Sequence, residues 1–419
     1  MLPLVQLVAF EGPDRYSFVG GLATRMNDLA EALVDRGYTV RHLFVGDPDL
    51  PHEEDRAGGK LRLERWAQWI SSYHPRDVYD GEIGKWRDFG RTVPPHLVED
   101  VIVPAAERGQ HTVVLFEDWQ TADAAIATAL LLTMREHRSS ASLFWNANNT
   151  YGFDAVDFAS LEQATTITTV SRFMRAALAE VGVDAAVLPN GIAERWLRPV
   201  APSDIRAVKA SFGDRPTFVK VARFDPDKRW DWAVDAVAAM KAAGLRPRLV
   251  VRGSRADHAQ EVWARVARRG LSVDSLRIAP DAPVPAVTRA IAASASDVVH
   301  LDFFVSERAL RALYAAADGV LANSTKEPFG LVGLEVMACG GIAYLGRTGE
   351  DYAVPYGNCV VVQTDDPREL GSHLAFLAER KEVASRIRTE GKTTAKRFAW
   401  PRIVDALEVT WEAVARLGK

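Results

Sequence analysis

Short apolar runs of strand length alternate with amphipathic helical segments along almost the whole chain. This alternation is typical of parallel β-sheets wound with α-helices, because the crossover helices cover both faces of the sheet and leave its strands apolar on both sides. The pattern occurs in both halves of the chain. It therefore predicts an α/β fold with two doubly wound domains.

Five apolar runs in the first half and six in the second are predicted as strands. They are Leu4–Phe10, Thr39–Val45, Thr112–Phe116, Ser142–Trp145, Thr166–Val170, Thr217–Ala222, Arg248–Arg252, Val298–Leu301, Gly319–Ala322, Ile342–Leu345 and Cys359–Gln363. The segment Arg56–Pro95 is rich in Trp, Tyr and charge but shows no clear periodicity. We interpret it as an irregular insertion on the side of the cleft that two domains imply.

The two halves meet at Pro189–Pro202, a segment with three prolines and one glycine. Prolines and glycines interrupt regular structure, so this composition predicts a linker. A chain of 419 residues is long enough for two domains of ordinary size, which agrees with a boundary near the middle. The residues after Trp400 predict a final helix with one apolar face, formed by Ile403, Leu407, Trp411 and Val414.

The composition, 48% hydrophobic and 25% charged with a net charge of -4, is that of a globular protein and gives no sign of nucleic-acid binding. Cys339 and Cys359 cannot form a disulfide framework and lie in no zinc-binding pattern, so we expect a reducing, cytoplasmic location. The longest apolar run, Ala122–Met134, is too short to span a membrane, and the N-terminus lacks the features of a secretory leader. The basic run Arg135–Arg138 could touch anionic lipid, but short charge runs are usually solvated surface, so membrane contact is not expected.

A pair of glycines, Gly20 and Gly21, follows the first predicted strand and precedes a predicted helix. Glycines let a phosphate or a sugar approach the backbone, and a helix start offers free amides to an anion. The same pair is equally typical of a plain tight turn. The sequence lacks the GxGxxG pattern of dinucleotide sites and the GxxxxGK[ST] pattern of P-loops, which argues against dehydrogenases and P-loop enzymes.

The most informative segment is Glu327–Gly340, which follows the predicted strand Gly319–Ala322. Glu327 lies in the loop, a helix is expected to begin near Gly330, and Glu335 falls one turn inside that helix. Both carboxylates can therefore lie at the carboxyl end of the strand, where open α/β sheets bind ligands. By themselves, two glutamates with this spacing are more often a helix-start carboxylate and a surface side chain.

Arg223 and Lys228 follow the predicted strand Thr217–Ala222 and place two cations on a loop at its carboxyl end. A diphosphate needs positive charge around it, which side chains and amides can supply without a metal. Taken alone, the loop could equally hold a solvated Arg/Asp pair. Asp225–Asp227 and Asp47–Asp49 have the DxD form that binds manganese in some enzymes, but acidic turns with a proline are common, so we expect no metal.

The segment Glu327–Gly340 resembles the E-x7-E motif of family 4 glycosyltransferases, a retaining group with the GT-B fold. Other landmarks of that family occur in the same order, namely Gly20–Gly21, Asp118–Thr121, Pro189–Gly191, Arg223 with Lys228, and Leu313–Asp318. The resemblance implies two Rossmann-like doubly wound domains that face each other across a cleft. It implies an acceptor-binding domain at 1–195, a nucleotide-sugar-binding domain at 196–399, and a C-terminal helix at 400–419 that crosses back to the first domain.

The resemblance also assigns roles to the motif. In the family, the first glutamate contacts the donor sugar and the second holds the ribose hydroxyls, which implies these roles for Glu327 and Glu335. The amides of Phe329, Gly330 and Leu331 would then point at the sugar and the diphosphate. The implied reaction transfers a hexose-type sugar from a nucleoside-diphosphate sugar to an acceptor hydroxyl with retention of configuration, and it requires no metal, further cofactor or protein nucleophile.

Arg223 and Lys228, together with Glu327, are implied as the catalytic residues because the leaving diphosphate needs their charge. The glycine pair Gly20–Gly21 is implied as part of the donor site. The acceptor is not identified and could be a sugar, a lipid or a small molecule. Two alternatives use the same architecture: a non-catalytic partner that binds a nucleotide sugar, and a sugar-nucleotide epimerase or phosphorylase.

The chain departs from the family at two places. Many relatives have histidines before the Asp-Trp pair, whereas this chain has Leu115–Glu117 before Asp118. Relatives also carry a histidine in a Thr-Ile-His-Asn segment, for which Asn146–Asn149 stands here. Asn148 can donate and accept hydrogen bonds, so we expect it to replace that histidine in donor binding without titrating near neutral pH.

Overall fold

The computed structural model describes residues 2–253, 258–348 and 350–417 of the chain. These residues form two compact units: Met1–Ala193 with Ala399–Lys419, and Glu194–Phe398. The chain passes from the first unit to the second after Ala193, inside the segment whose prolines predict a linker. Each of the predicted strands overlaps a strand of the structure, which confirms the two wound sheets.

The first unit contains a sheet of eight strands in the order β3-β4-β2-β1-β5-β6-β7-β8. β3 runs antiparallel to β4, and the other neighbours are parallel. The strands are β1 Leu4–Val8, β2 Thr39–Val45, β3 Glu53–Arg56, β4 Leu61–Trp66, β5 Thr112–Glu117, β6 Ala141–Ala147, β7 Thr166–Thr169 and β8 Ala186–Val187. The helices are α1 Gly21–Asp35, α2 Gln68–Ser71, α3 Glu82–His96, α4 Val103–Glu107, α5 Ala122–Met134, α6 Phe158–Ala164 and α7 Arg172–Glu180.

The centre of this sheet is buried on both faces. Every residue of β1, β5 and β6 is buried, as expected for parallel strands that helices cover on both sides. α1 buries its apolar positions at helical spacing, Leu22, Met26, Leu29 and Leu33. The helical pattern that predicted this element therefore corresponds to the face packed on the sheet.

The interpretation of Arg56–Pro95 as an irregular insertion is wrong. This segment contains β4, which pairs in parallel with β2, and most of α3, a helix of 15 residues. β4 has charged residues in alternation with leucines, so its apolar run is too short to stand out in the sequence. α3 carries Pro94 and Pro95 near its carboxyl end, and these prolines hid the helical pattern.

The second unit contains a seven-stranded parallel sheet in the order β11-β12-β10-β9-β13-β14-β15. Its strands are β9 Thr217–Val221, β10 Arg248–Arg252, β11 Val273–Leu276, β12 Val298–Leu301, β13 Gly319–Ala322, β14 Ala343–Leu345 and β15 Val360–Val361. Its helices are α8 Glu194–Leu197, α9 Pro202–Phe212, α10 Trp230–Ala242, α11 His258–Arg268, α12 Val284–Ala293, α13 Glu307–Ala316, α14 Leu331–Ala338, α15 Glu369–Glu379 and α16 Lys381–Arg397. Phe218, Trp230 and Tyr344 are among the buried residues of its core.

The last helix, α17 Trp400–Leu417, belongs to the first unit, although it follows the whole second unit in sequence. Arg36, at the end of α1, donates hydrogen bonds to Asp405 at 2.7 Å and to Glu408 at 2.8 Å. Tyr38 donates to Glu408 at 2.9 Å, and its ring meets the Trp411 ring edge to face. Among the residues that the structure describes, no helix is long and apolar enough to cross a membrane.

Trp400 fixes the start of α17 on the first unit. Its backbone amide donates to the Ile192 carbonyl at 3.1 Å, and its ring, which is 2% exposed, lies so close to Gly191 that a Cβ atom there would be 2.4 Å from a ring carbon. We expect Trp400→Ala to lower the free energy of unfolding by about 3–5 kcal/mol, because it leaves a cavity that the backbone cannot fill. Urea denaturation followed by circular dichroism measures this loss.

The matched control is Val409→Ala on the same helix, where the side chain is 70% exposed. We expect this change to alter the free energy of unfolding by less than about 0.5 kcal/mol. Equal losses in the two variants would contradict the proposed anchoring role of Trp400.

Candidate functional site

An ion pair joins two loops at the carboxyl edge of the second sheet. β9 and β13 are parallel neighbours, so the loops that follow them leave the sheet at the same edge. Lys228, in the first loop, donates to Glu327 Oε2 in the second at 2.8 Å. The two side chains are only 23% and 20% exposed, so water screens their charges less than it would at an open surface.

Hydrogen bonds also hold these two loops against each other. The carboxylate of Asp225 accepts the backbone amide of Asp227 at 2.9 Å, and the Asp227 carbonyl accepts the amide of Thr325 at 2.9 Å. The hydroxyl of Thr348 donates to the Thr325 carbonyl at 3.0 Å and accepts the Glu327 amide at 3.2 Å. The position of Glu327 therefore depends on backbone contacts as well as on its ion pair.

Gly330, immediately before α14, lets several side chains crowd together. Its φ of +88° is unfavourable for residues with a Cβ atom. A Cβ atom at this position would lie 2.9 Å from Glu350 Cγ, 2.9 Å from the Tyr352 hydroxyl oxygen and 3.3 Å from Glu327 Cγ. The tyrosine hydroxyl donates to the Gly330 carbonyl. The helix start thus lies against two carboxyl groups.

Glu350 is the second of these carboxyl groups, and sequence reasoning gave it no role. It is 8% exposed, and its Oε1 atom is buried without a hydrogen-bond partner among the described residues. Burial raises the pKa of the Glu350 carboxyl to about 9, and the charge of Glu327 adds to this rise. Glu350 is therefore neutral at pH 7, whereas Glu327 has the cation Lys228 beside it.

Lys220 is a buried cation that the sequence analysis also missed. It is 1% exposed in β9 and donates to the Leu321 carbonyl at 3.1 Å and to Asn323 Oδ1 at 2.9 Å. Burial, together with the positive charges of Lys228 and Arg229, lowers the pKa of Lys220 to about 7. The available signal was a lysine inside an otherwise apolar strand, which sequence reasoning passed over.

The other predicted residues of the second unit have distinct environments. The Arg223 side chain is exposed, and its carbonyl accepts the indole N–H of Trp230 at 2.7 Å. Phe329 is buried against Tyr352, with ring centroids 6.0 Å apart. Leu331 and Glu335 lie on α14 and are partly exposed. The structure thus brings Lys228 and Glu327 into contact, while the Arg223 side chain extends into solvent.

In the first unit, a carboxylate already occupies the helix start at the glycine pair. Glu11 Oε2 accepts the amides of Gly20 and Ala23, each at 3.0 Å, and Glu11 Oε1 accepts the hydroxyl of Tyr79 at 2.6 Å. The expectation that this helix start offers free amides is wrong for Gly20, because Glu11 supplies the negative charge that the helix terminus favours. α1 begins at Gly21.

Asn148 belongs to a buried polar cluster at the carboxyl end of β5 and β6. Its Nδ2 atom donates to Glu117 Oε2 at 2.6 Å, and its Oδ1 atom is buried without a hydrogen-bond partner in the part of the chain that the structure describes. Glu117 is fully buried and also accepts from Arg25 Nε at 3.2 Å. Arg25 donates in turn to Asn190. The structure therefore uses the glutamate that stands before Asp118 to hold Asn148.

Asp118 lies beside this cluster with a strained backbone, at φ +64°. Its carboxylate accepts the Asn148 amide at 2.7 Å and the Asn149 side chain at 2.8 Å. Burial raises the pKa of Asp118 to about 7, and the charge of Glu117 adds to this rise while the Asn148 amide opposes it. Burial therefore shifts the Asp118 carboxyl towards its neutral form.

Both segments with the DxD form are turns closed by their first aspartate. The Asp225 carboxylate accepts the Asp227 amide, and the Asp47 carboxylate accepts the Asp49 amide at 3.0 Å. Such turns are a common backbone use of aspartate. Within the described ranges, no group of three or more His, Cys, Asp or Glu side chains is arranged to hold a metal ion.

Comparison with solved structures defines the class of fold. Sucrose-phosphate synthase from Thermosynechococcus elongatus aligns over 98% of this chain and 99% of its own, with a TM-score of 0.67 and 16% identity. Anabaena HepE, solved in complex with UDP, aligns over 98% of this chain and all of its own, with a TM-score of 0.63 and 15% identity. These similarities confirm the GT-B fold.

Sequence comparison then gives the family. Residues 203–394 match the family described as "Glycosyl transferases group 1", and residues 20–191 match the "Glycosyl transferase 4-like domain". The two matches together cover most of the chain. The protein therefore belongs to the group 1 glycosyltransferases of family 4, which confirms the resemblance of its Glu327–Gly340 segment.

Two curated relatives are similar over part of their length. The D-inositol 3-phosphate glycosyltransferase of Saccharomonospora viridis is 30% identical over 237 residues, which are 55% of this chain and 50% of the relative. The GDP-mannose-dependent alpha-(1-6)-phosphatidylinositol dimannoside mannosyltransferase of Mycobacterium tuberculosis is 26% identical over 200 residues, 47% of this chain and 44% of the relative. The chain thus spans about half the length of the curated relatives it matches.

The buried carboxyl of Glu350 should make stability depend on pH. Its folded-state pKa is raised, so between its ordinary pKa and about pH 9 the folded state holds a proton that the unfolded chain has released. The resulting stabilisation is present below the ordinary pKa and is lost as the pH rises to about 9. Gln cannot ionise, so we expect Glu350→Gln to raise the free energy of unfolding at pH 9 by about 1–3 kcal/mol, with a smaller difference at pH 5.

Denaturation of wild type and variant at pH 5, 7 and 9 measures this difference. The matched control is Glu379→Gln, at an exposed position of α15, for which we expect parallel stability profiles. Parallel profiles for Glu350→Gln as well would contradict the buried, neutral state of Glu350.

Proposed function

We propose that this protein is a retaining glycosyltransferase that moves a hexose-type sugar from a nucleoside-diphosphate sugar to an acceptor hydroxyl without a metal ion. The observation that carries the proposal is the Lys228–Glu327 pair beside the start of α14, at the carboxyl edge of a parallel sheet. Open α/β sheets bind nucleotides at this edge. Family membership gives the reaction class, and the charges of this edge support the donor.

The cations at this edge suit a leaving diphosphate. Lys228 is already partly buried, Lys220 lies fully buried close enough to feel its charge, and Arg223 extends into solvent from the same loop. A bound diphosphate would favour the charged form of Lys220, since its negative charge would offset the positive charges of Lys228 and Arg229. Amides of Phe329, Gly330 and Leu331 would add hydrogen-bond donors that are oriented before the reaction begins.

The glutamates would act on the rest of the donor. We assign Glu327 to the sugar and Glu335 to the ribose hydroxyls, as the family motif implies. The acceptor would attack on the face from which the diphosphate leaves, and the leaving phosphate would take the proton of the acceptor hydroxyl. No protein nucleophile is needed for this course. The contacts of Gly20, Gly21 and Asn148 with the donor stay predictions.

The names of two similar proteins support a nucleoside-diphosphate hexose as the donor. Anabaena HepE has been solved with UDP-glucose, and the Mycobacterium tuberculosis relative is named for GDP-mannose. The sugar and the base differ between these two proteins. The donor of this chain is therefore best found with a panel of nucleotide sugars.

We expect free nucleoside diphosphate to appear when the protein is incubated with the matching nucleotide sugar from UDP-, GDP- and ADP-hexoses. The rate should be the same with and without EDTA, because lysines and amides oppose the diphosphate charge. Release of diphosphate over time, with Glu327→Ala as the inactive control, measures this.

Loss of turnover in EDTA with recovery in manganese would contradict the metal-independent reaction. Binding of the sugar nucleotide without any diphosphate release, in the presence of sugar, lipid and small-molecule acceptors, would favour a non-catalytic partner instead. Interconversion of the sugar without release would favour an epimerase.

We expect Lys228→Ala and Arg223→Ala each to raise the dissociation constant for the nucleoside diphosphate by about tenfold or more, since charge-assisted hydrogen bonds to phosphate are worth about 1.5–3 kcal/mol. The monophosphate should lose less affinity. Both cations oppose charge that grows on the leaving group, so turnover should fall further than affinity, and the two effects should not add. Calorimetric titration and initial rates measure these changes.

The matched control is Lys326→Ala, which removes an exposed cation next to Glu327. Its affinity for the diphosphate should stay within about twofold of wild type. If the diphosphate binds equally well to wild type, Lys228→Ala, Arg223→Ala and the double variant, the proposed donor site is wrong.

A further inference from the structure

A groove with candidate binding residues lies in the first unit, and its lining includes none of the residues assigned to the donor. This groove of about 590 Å³ runs between the α2 region and α3. Its lining includes Trp69, Tyr73, Arg87, Asp88 and Arg91. Neither the reaction proposed above nor the family motif gives any of these residues a role.

Two large aromatic side chains stand open to solvent at this groove. Trp69 is 65% exposed and Tyr73 is 78% exposed, and Ile83 nearby is 62% exposed. Trp69 and Tyr73 both line the groove, and exposed aromatic rings beside a concave surface are typical of places where a ligand or partner binds. Flat rings at the side of a concave groove offer the surface on which the C–H faces of a sugar stack.

The groove also carries two positive charges and one carboxyl group, that of Asp88. Arg87 and Arg91 are exposed and lie four residues apart on α3, so they share one face of the helix and repel each other. Neither forms an ion pair with a carboxylate in the part of the chain that the structure describes. Guanidinium groups in this arrangement suit a phosphate or carboxylate, which they can bind through paired hydrogen bonds.

Asp88 supplies the third kind of contact. It lies between the arginines in sequence and lines the groove, where burial raises the pKa of Asp88 while the Trp69 side chain and the charge of Arg91 both oppose that rise. A carboxylate here can hold the Trp69 ring in place and accept hydrogen bonds from hydroxyl groups. The groove therefore combines a stacking surface, an acceptor for hydroxyls and two cations for an anion.

We propose that the groove between α2 and α3 binds an anionic carbohydrate, a hexose that carries a phosphate or carboxylate group, with its ring on Trp69 and its anion at Arg87 and Arg91. The same chemistry could come from a free hexose phosphate or from the phosphorylated polyol ring of a lipid headgroup. Binding here does not depend on the donor site of the second unit.

Calorimetric titration tests this site on the full chain with a panel of hexose phosphates and hexuronates, and with glucose and inorganic phosphate as partial ligands. We expect at least one anionic hexose to bind at least tenfold more tightly than either partial ligand. Trp69→Ala and the double variant Arg87→Gln/Arg91→Gln should each weaken that binding tenfold or more. Trp69→Phe, which keeps a flat ring, should retain most of it.

Tyr151→Ala and Arg135→Gln are the matched controls, because they remove an exposed aromatic ring and an exposed cation elsewhere on the first unit. Neither should change the affinity. Lys228→Ala should bind the anionic hexose as wild type does, and the groove variants should bind the nucleoside diphosphate as wild type does. These two results keep the groove separate from the proposed donor site, whichever way the diphosphate experiment ends.

Three results would overturn the proposal. They are equal affinity of the wild type and the groove variants for every anionic hexose, loss of that affinity in Lys228→Ala, and no measurable binding of any member of the panel. Vesicles of phosphatidylcholine with and without phosphatidylinositol phosphate separate the two sources of the ligand. Binding to phosphatidylserine vesicles that matches binding to the phosphoinositide vesicles would also overturn it, since it would make the patch a general anionic-membrane surface.

Discussion

The parallel pairing of β9 with β13 is the constraint on which the polar site of the second unit depends. Because the two strands run in the same direction, the loops that carry Lys228 and Glu327 leave the sheet at one edge, although almost a hundred residues separate them in sequence. The ion pair then forms across the loops, and the Thr348 hydroxyl holds the backbone beside it. An antiparallel arrangement would send the two loops to opposite edges.

Burial gives this edge a second property. Lys220 and Glu350 are both removed from water, and each is shifted towards its neutral form, while Lys228 and Glu327 remain as an ion pair. A region of this kind has little capacity to screen new charge, so an anion that enters it interacts strongly with the cations. In the first unit, by contrast, the buried carboxylate of Glu117 has hydrogen-bond partners. It accepts hydrogen bonds from Arg25, Asn146 and Asn148.

Several buried or exposed polar groups lie around the Lys228–Glu327 pair and the Asn148 cluster or elsewhere in the two units. The side-chain amide of Asn148, which we expected to take the place of a histidine in donor binding, donates to the buried carboxylate of Glu117. Glu350 places a neutral carboxyl against Gly330, at the start of the helix that carries Glu335. The groove at Trp69 adds an aromatic and cationic surface.

The sequence by itself determined the α/β class, the main strands and the Glu327–Gly340 motif, because apolar periodicity and local motifs are properties of neighbouring residues. It did not reveal β4, whose short charged pattern becomes a strand only through pairing with β2. The tertiary structure alone decided that Glu11 takes the Gly20 amide, that Lys228 meets Glu327, and that Lys220 and Glu350 are buried. Contacts depend on which distant segments pack together, and of these features only the burial of Lys220 had a local signal, its position inside an apolar strand.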